Sequence, residues 1–194
     1  MLATANRAKA REMAALLEGI PFRILNLADF PGVTLPPEGE SSYGDNALAK
    51  ARAVASATGE MSLADDSGIE VDALGGGPGV LSARYGGRGL SDPERCELML
   101  REMAAVQREK RTARFRCLIA IVCPRRRREI TFEGVVEGIL LPAPRGDGGF
   151  GYDPLFFYPP LGRGFAEISA EEKNRVSHRA QACQQARAWL LSEP

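Results

Sequence analysis

The chain has 194 residues, of which 44% are hydrophobic, and its 25 lysines and arginines balance 25 aspartates and glutamates. This balance excludes a general attraction to nucleic acid or to an anionic membrane surface. No apolar run approaches the roughly 20 residues that span a bilayer, and the scattered cysteines favour reduced core thiols, so we expect a cytoplasmic protein. The length is typical of one domain, which we expect over 1–194.

The first residues are typical of a strand, a loop and a helix. Met1-Leu2-Ala3 is a short apolar strand, and residues 9–18 have helical spacing. The loop between them, from Thr4 to Lys9, would expose backbone N–H groups at a helix N-terminus, and Lys9 adds a positive charge. The loop is therefore a candidate phosphate site, with simple capping of the helix by Thr4 or Asn6 as the alternative.

A second strand is predicted over residues 22–27, and a proline-containing loop then leads into an alanine-rich helix over about residues 45–58. Ser41 or Ser42 can cap this helix, while Glu38 in the loop can still face a cleft. Asn46 and Lys50 are four residues apart and therefore share one helix face. An ordinary surface position is the alternative for Lys50.

The most informative stretch runs from Leu63 to Ser67, where an apolar strand is expected to end in Asp65, Asp66 and Ser67. Adjacent strand residues point to opposite faces, so one aspartate is expected to act directly and the other to support it. Two carboxylates and a hydroxyl suit Mg²⁺, and a carboxylate there could accept a proton from an attacking water. The alternative is a solvated acidic turn. Because the only histidine is His178, any metal should have oxygen ligands.

The second half of the chain begins with a helix signal at Ser91-Asp92-Pro93-Glu94 and continues with two long strands, over residues 112–122 and 129–141. The arginine run 125–128 between these strands is interpreted as a solvated hairpin tip rather than a nucleic-acid patch.

A glycine-rich loop with aromatic residues follows, and it includes Gly149 to Asp153. Its aromatic rings could stack on a nucleobase while Asp153 accepts a hydrogen bond, or they could return to the core. A terminal helix is predicted from Ala170, with Lys173, His178 and Arg179 at its entry. Cations at a helix N-terminus suggest an anionic or carbonyl-bearing partner.

Five motifs occur in an order that resembles the inosine triphosphate pyrophosphatases, also called dITP/XTP pyrophosphatases. The motifs are Thr4-x-Asn6-x-x-Lys9, Glu38 with Asn46-Ala47 and Lys50-Ala51, the block from Ala64 to Tyr85, Gly149-Phe150-Gly151-Tyr152-Asp153-Pro154, and Glu172-Lys173 with Ser177-His178-Arg179. Each motif is weak alone, but together they extend nearly from end to end.

The resemblance implies an α/β fold that is elongated and two-lobed, with a central twisted mixed sheet flanked by helices and an active-site cleft between the lobes. It implies a homodimeric, Mg²⁺-dependent enzyme that hydrolyses non-standard purine nucleoside triphosphates (dITP, ITP and XTP) to the monophosphate and pyrophosphate. A phosphatase that releases orthophosphate and a nucleotide-binding module without turnover remain as alternatives.

The same resemblance implies roles for particular residues. Glu38 and Asp66 would hold the metal, with Asp66 also the proton acceptor, and Ser67 would touch the substrate. Glu40 leaves open which glutamate faces the metal. The triphosphate would be held by Thr4, Ala5, Asn6, Arg7, Ala8, Lys9 and Lys50, and the base by Phe150, Gly151, Tyr152, Asp153, Lys173, His178 and Arg179. Ala5 stands where the family usually has glycine, which would matter if that backbone needed a positive φ.

Overall fold

The computed structural model describes residues 1–87 and 89–192 and shows the α/β class that the sequence predicts. Its helices and strands, in chain order, are α1 (Arg7–Leu16), α2 (Tyr43–Thr58), β1 (Ser62–Val71), α3 (Asp92–Glu102), β2 (Thr112–Cys123), β3 (Arg128–Leu140), β4 (Phe156–Tyr158), β5 (Arg163–Gly164), α4 (Ala170–Val176) and α5 (His178–Ser192).

The five strands form one sheet in which each strand lies beside the next one in the chain. β3 and β4 are antiparallel, with Leu140 opposite Phe156, and β4 and β5 are also antiparallel. Leu2 adds parallel bridges to Asn26 and Leu63. Parallel pairing in the described residues is therefore limited to the isolated bridges of Leu2, and the five-stranded sheet is antiparallel rather than the mixed sheet that was expected.

The chain forms two compact units, each assembled from separate segments. The first unit contains Met1–Asp66, Cys117–Gly134 and the described part of His178–Pro194. One of its two apolar clusters packs the small residues of α2 against β1 and β2, and it includes Ala47, Ala51 and Val54. The other includes Met13, Leu17, Cys117, Ile119, Cys183 and Ala186. The sequence predicted one domain over 1–194, which stays a prediction.

The second unit contains Ser67–Arg116 and Val135–Ser177. Its core is aromatic at the centre, where the rings of Phe115, Phe156 and Phe165 lie with centroids 4.6 to 5.9 Å apart. This spacing is typical of favourable aromatic packing. Tyr152 and Leu155 also belong to this core, so part of the glycine-rich segment returns to the interior.

Several local predictions are confirmed. Ser42 caps α2 by accepting a hydrogen bond from the backbone N–H of Asp45 at 3.0 Å. Ser91 and Glu94 form a capping box at the start of α3. The arginine run lies at the turn between β2 and β3, and Arg125 to Arg128 are exposed.

Four predicted elements differ from the structure. The segments 1–3 and 22–27 are not strands, because only Leu2 and Asn26 form bridges there. β1 does not end at the acidic pair but continues to Val71, so the aspartates lie in mid-strand. The terminal helix is divided at Ser177, whose extended backbone (φ −71°, ψ 159°) ends α4 just before α5 begins.

All four cysteines are buried and free, as expected for core thiols. Within the described ranges, no helix combines the length and the apolar character that crossing a membrane requires.

Candidate active site

Asn6 organises the loop that precedes α1. Its side-chain oxygen accepts hydrogen bonds from the backbone N–H groups of Ala8 and Lys9, at 2.9 and 3.1 Å. Thr4 Oγ1 accepts a hydrogen bond from the N–H of Asn6 at 3.2 Å. Asn6 therefore caps α1, and the role of the loop as a phosphate site stays a prediction. Ala5 is not among the residues with positive φ, so alanine is compatible with this backbone.

Asp65 is buried among cations in the first unit. Its Oδ2 lies 3.0 Å from Lys9 Nζ and 3.4 Å from the guanidinium of Arg179, which also donates to Glu12 at 2.5 Å. Burial opposes ionisation, but Lys9 and Arg179 hold the pKa of Asp65 well below its usual range. An ionised Asp65 therefore fixes the ammonium group of Lys9.

Lys50 brings together two acidic residues that are far apart in the sequence. Its Nζ lies 2.7 Å from Glu38 Oε1 and 3.5 Å from Asp66 Oδ1, so these oxygens are at most about 6 Å apart, the sum of the two contacts. The surface alternative for Lys50 is wrong, because the residue is only 6% exposed. Glu40 is exposed, and Glu38 is the glutamate that converges with Asp66.

The surroundings of Asp66 raise the pKa of its carboxyl group above that of an ordinary aspartate. Burial raises the pKa of Asp66, although Lys50 and Asn46 act in the opposite direction. Burial lowers the pKa of Lys50, but the Asp65, Asp66 and Glu38 carboxylates raise it by more. A carboxylate with a raised pKa is suited to accept a proton from water near neutral pH.

The two aspartates have different partners, as the alternation of a strand requires. Asp65 contacts Lys9 and Arg179, whereas Asp66 contacts Lys50 and accepts a hydrogen bond from Asn46 at 2.8 Å. The prediction that one aspartate acts directly and the other supports it stays a prediction.

The second unit holds another buried ion pair. Lys173 Nζ lies 2.5 Å from Asp153 Oδ2 and 4.7 Å from the centroid of the Phe150 ring. Asp153 also accepts a hydrogen bond from the N–H of Phe150 at 2.8 Å. Gly149 has a φ of +71°, and a Cβ there would collide with the Asp153 side chain. Glycine is therefore required for this turn.

The remaining predicted residues are distributed between the units. Tyr152 is buried in the second unit and donates from its hydroxyl to the carbonyl oxygen of Ser82 at 2.8 Å, while Ser67 in β1 is half-buried. The backbone N–H of Gly151 donates to Asp92 Oδ2 at 2.9 Å. In the first unit, Arg7 is exposed and His178 is buried.

Sequence reasoning assigned no site role to Glu12 or Asn46. Glu12 is three residues beyond Lys9 on α1 and contacts Arg179. Asn46 is 4% exposed and binds Asp66. A carboxamide on the buried, alanine-rich face of α2 was the signal that could have identified Asn46.

The first unit also contains a cavity of about 600 Å³, but its wall is formed by other residues, including Leu17, Phe22, Met61 and Trp189. None of the predicted site residues lines it. Over residues 1–87 and 89–192, no group of three or more histidine, cysteine or acidic side chains could hold a metal.

The model of the Ham1 family matches residues 1–189 of the chain. The chain belongs to the Ham1 family. This Ham1 family member is 50% identical to a dITP/XTP pyrophosphatase of Geobacter sulfurreducens over 94% of the chain and 91% of that relative. It is also 50% identical to a dITP/XTP pyrophosphatase of Thermus thermophilus, over 94% of the chain and 86% of that relative.

Solved Ham1 structures have the same fold. The HAM1 protein of Coxiella burnetii is 38% identical, with a TM-score of 0.87 over 98% of this chain and 97% of that one. The Staphylococcus aureus Ham1 protein is 33% identical, with a TM-score of 0.88 over 100% and 98% of the two chains.

Proposed function

We propose that this protein hydrolyses dITP, ITP and XTP to the monophosphate and pyrophosphate, and so removes deaminated purines from the nucleotide pool. The observation that carries the proposal is the convergence of Glu38, Lys50 and Asp66 in the first unit. The names of the Geobacter and Thermus relatives support the substrate class.

The two carboxylates are chemically suited to Mg²⁺, which proteins often bind through one or two carboxylates together with substrate phosphates. Glu38 Oε1 and Asp66 Oδ1 both reach the Lys50 ammonium, so a positive charge is already stabilised between them. We propose Glu38 and Asp66 as the metal ligands. A bound Mg²⁺ would neutralise charge on the phosphate oxygens.

The triphosphate would be bound by cations and by the start of α1. Lys9 is held by Asp65, and Lys50 is held by Glu38 and Asp66, so both ammonium groups are fixed before a substrate arrives. Negative charge grows on the phosphate oxygens as pyrophosphate departs, and fixed cations stabilise that state more than the ground state. The loop residues Thr4, Ala5, Asn6, Arg7 and Ala8 complete this proposed phosphate site.

Asp66 is the proposed proton acceptor. Its raised pKa keeps it basic enough to take a proton from a water that attacks the α-phosphorus. Ser67 follows it directly in β1 and is proposed to touch the substrate.

In the second unit, Phe150 offers an aromatic face, while Lys173 and Asp153 offer a donor and an acceptor for a base. Gly151 and Tyr152 belong to the same proposed set. The family resemblance adds His178 and Arg179 as donors to a 6-oxo group. A protein donor at this position can form a hydrogen bond with the 6-oxo oxygen of hypoxanthine or xanthine. The 6-amino group of adenine is itself a donor, so the two groups could not form a hydrogen bond.

We also propose a homodimer that works in the cytoplasm. The family resemblance supports the dimer, and four free thiols agree with a reducing compartment.

The test is pyrophosphate release from dITP with Mg²⁺. We expect Asp66→Asn to lower kcat by at least about 10²-fold, because the proton acceptor and one metal ligand are lost together. Glu38→Gln should also lose activity, while the matched variant Glu40→Gln should keep it. Near-normal turnover by Asp66→Asn would contradict the assignment. Orthophosphate as the product would favour the phosphatase alternative, and no turnover would favour the binding module.

A further inference from the structure

Asn46 connects the two acidic residues through its carboxamide. Its Oδ1 accepts a hydrogen bond from the N–H of Gly39 at 2.7 Å. Its Nδ2 donates to the carbonyl oxygen of Gly39 at 3.2 Å and to Asp66 Oδ2 at 2.8 Å. Both hydrogens of the amide nitrogen are therefore used.

The contact with Gly39 holds the loop that carries Glu38. Residues 34–39 contain neither helix nor strand, so backbone hydrogen bonds of regular structure do not hold them. Asn46 binds both polar backbone groups of Gly39, which is the next residue after Glu38. Fixing this backbone limits where the Glu38 carboxylate can reach, because consecutive Cα atoms are about 3.8 Å apart.

The contact with Asp66 selects the orientation of its carboxylate. Asn46 binds Oδ2, and the other oxygen, Oδ1, lies 3.5 Å from the Lys50 ammonium. Glu38 Oε1 contacts the same ammonium at 2.7 Å. The amide therefore determines which Asp66 oxygen faces the point at which Glu38 converges.

The helix accounts for this geometry. Asn46 and Lys50 are separated by four residues on α2, so they project from one face, one turn apart. Both are buried, and both reach Asp66. One turn of α2 thus supplies the amide that orients the carboxylates and the ammonium that lies between them.

We infer that Asn46 is a positioning residue for a divalent cation: its side chain sets the relative positions of the Glu38 and Asp66 carboxylates through Gly39 and a direct hydrogen bond. The inference rests on the proposed function in that these carboxylates are taken as the metal ligands. Groups that orient ligands in this way typically change metal affinity by about 10- to 100-fold when they are removed.

The experiment measures Mn²⁺ binding to the metal-free protein from the EPR signal of the free ion, together with amide exchange at Gly39 by NMR. The variant is Asn46→Ala. The matched control is Thr58→Ala, which removes a side-chain hydrogen bond to the Val54 carbonyl oxygen at the other end of α2. Thermal unfolding shows that each variant is folded at the temperature used.

We expect Asn46→Ala to weaken Mn²⁺ binding about 10- to 100-fold and to accelerate exchange at Gly39, with Thr58→Ala unchanged in both. Equal Mn²⁺ affinity in Asn46→Ala and the wild type would overturn the inference. A loss of Mn²⁺ affinity in Thr58→Ala as large as that in Asn46→Ala would also overturn it, and Asn46 would then have only a structural role. If Asn46→Ala does not fold, Asn46→Ser is judged by the same criteria.

Failure of the inference and failure of the proposed function give different results. A wild-type protein that binds no Mn²⁺ would overturn the role of Asn46, yet pyrophosphate release from dITP by the same preparation would leave the proposed function in place. Conversely, an Asn46-dependent Mn²⁺ site in a protein that hydrolyses no triphosphate would overturn only the function.

Discussion

Lys50→Met should produce a protein whose stability depends strongly on divalent cations. Methionine has a similar length but no charge, so the substitution leaves Glu38 and Asp66 facing the place where the ammonium was. Removing one partner of a buried ion pair typically costs about 3 to 5 kcal/mol. The Glu38 side chain is 29% exposed, so we expect a loss near about 3 kcal/mol without metal.

A bound Mg²⁺ should recover most of this loss, because it replaces the missing positive charge. At a concentration about 100-fold above its dissociation constant, a ligand that binds only the folded state contributes about 2.7 kcal/mol. In the wild type the Lys50 ammonium already neutralises part of the charge of these two carboxylates, so the stabilising effect of the ion should be smaller. In a chain of this size, about 3 kcal/mol corresponds to a change of about 6 to 12 °C in Tm.

The assay is thermal unfolding of wild type and Lys50→Met in EDTA, in MgCl₂, and in NaCl of equal ionic strength. Lys110→Met is the control, since it removes an exposed lysine. Equal melting of the wild type and Lys50→Met in EDTA would refute the reasoning. So would a Mg²⁺ effect no larger in the variant than in the wild type.

Two further substitutions test the other buried charges. Asp65→Asn should cost about 3 kcal/mol at pH 7, because Lys9 and Arg179 lose their shared anion. The folded-state pKa of Asp65 lies below the ordinary value of 3.8, so its contribution is present above that pH and is lost as the pH falls through the folded-state value. Urea unfolding should show a smaller difference in the free energy of unfolding between wild type and Asp65→Asn below pH 3.8 than at pH 7. An equal difference at the two pH values would contradict this prediction. Lys173→Met should reduce the preference for dITP over dATP about 10-fold in kcat/KM, because a donor that the oxo base needs is lost; an unchanged ratio would remove Lys173 from base recognition.

Strong periodicity made much of the fold predictable. The long strands β2 and β3 and the helix α2 lie within about two residues of their predicted ranges, and α3 begins directly after its predicted capping serine, because apolar alternation and capping serines are local signals. The segment 22–27 was misassigned as a strand because its apolar residues line a cavity of the first unit rather than pair along their length.

The site was less predictable than the fold. The motifs identified Glu38, Lys50 and Asp66, but not that one ammonium contacts both carboxylates, since this depends on how the loop folds onto α2. The role of Asp65 as a counterion of Lys9 depends on a strand continuing through the acidic pair. The division between α4 and α5 had a local signal, Ser177, because serine commonly precedes the first residue of a helix.

The most direct test of the proposed function is the product formed from dITP with and without Mg²⁺, followed by ³¹P NMR. We expect dIMP and pyrophosphate in equal amounts when Mg²⁺ is present, and at least about 10²-fold slower turnover in EDTA. Orthophosphate as the first product, or equal rates without any divalent cation, would contradict a cation held by Glu38 and Asp66 beside the scissile anhydride.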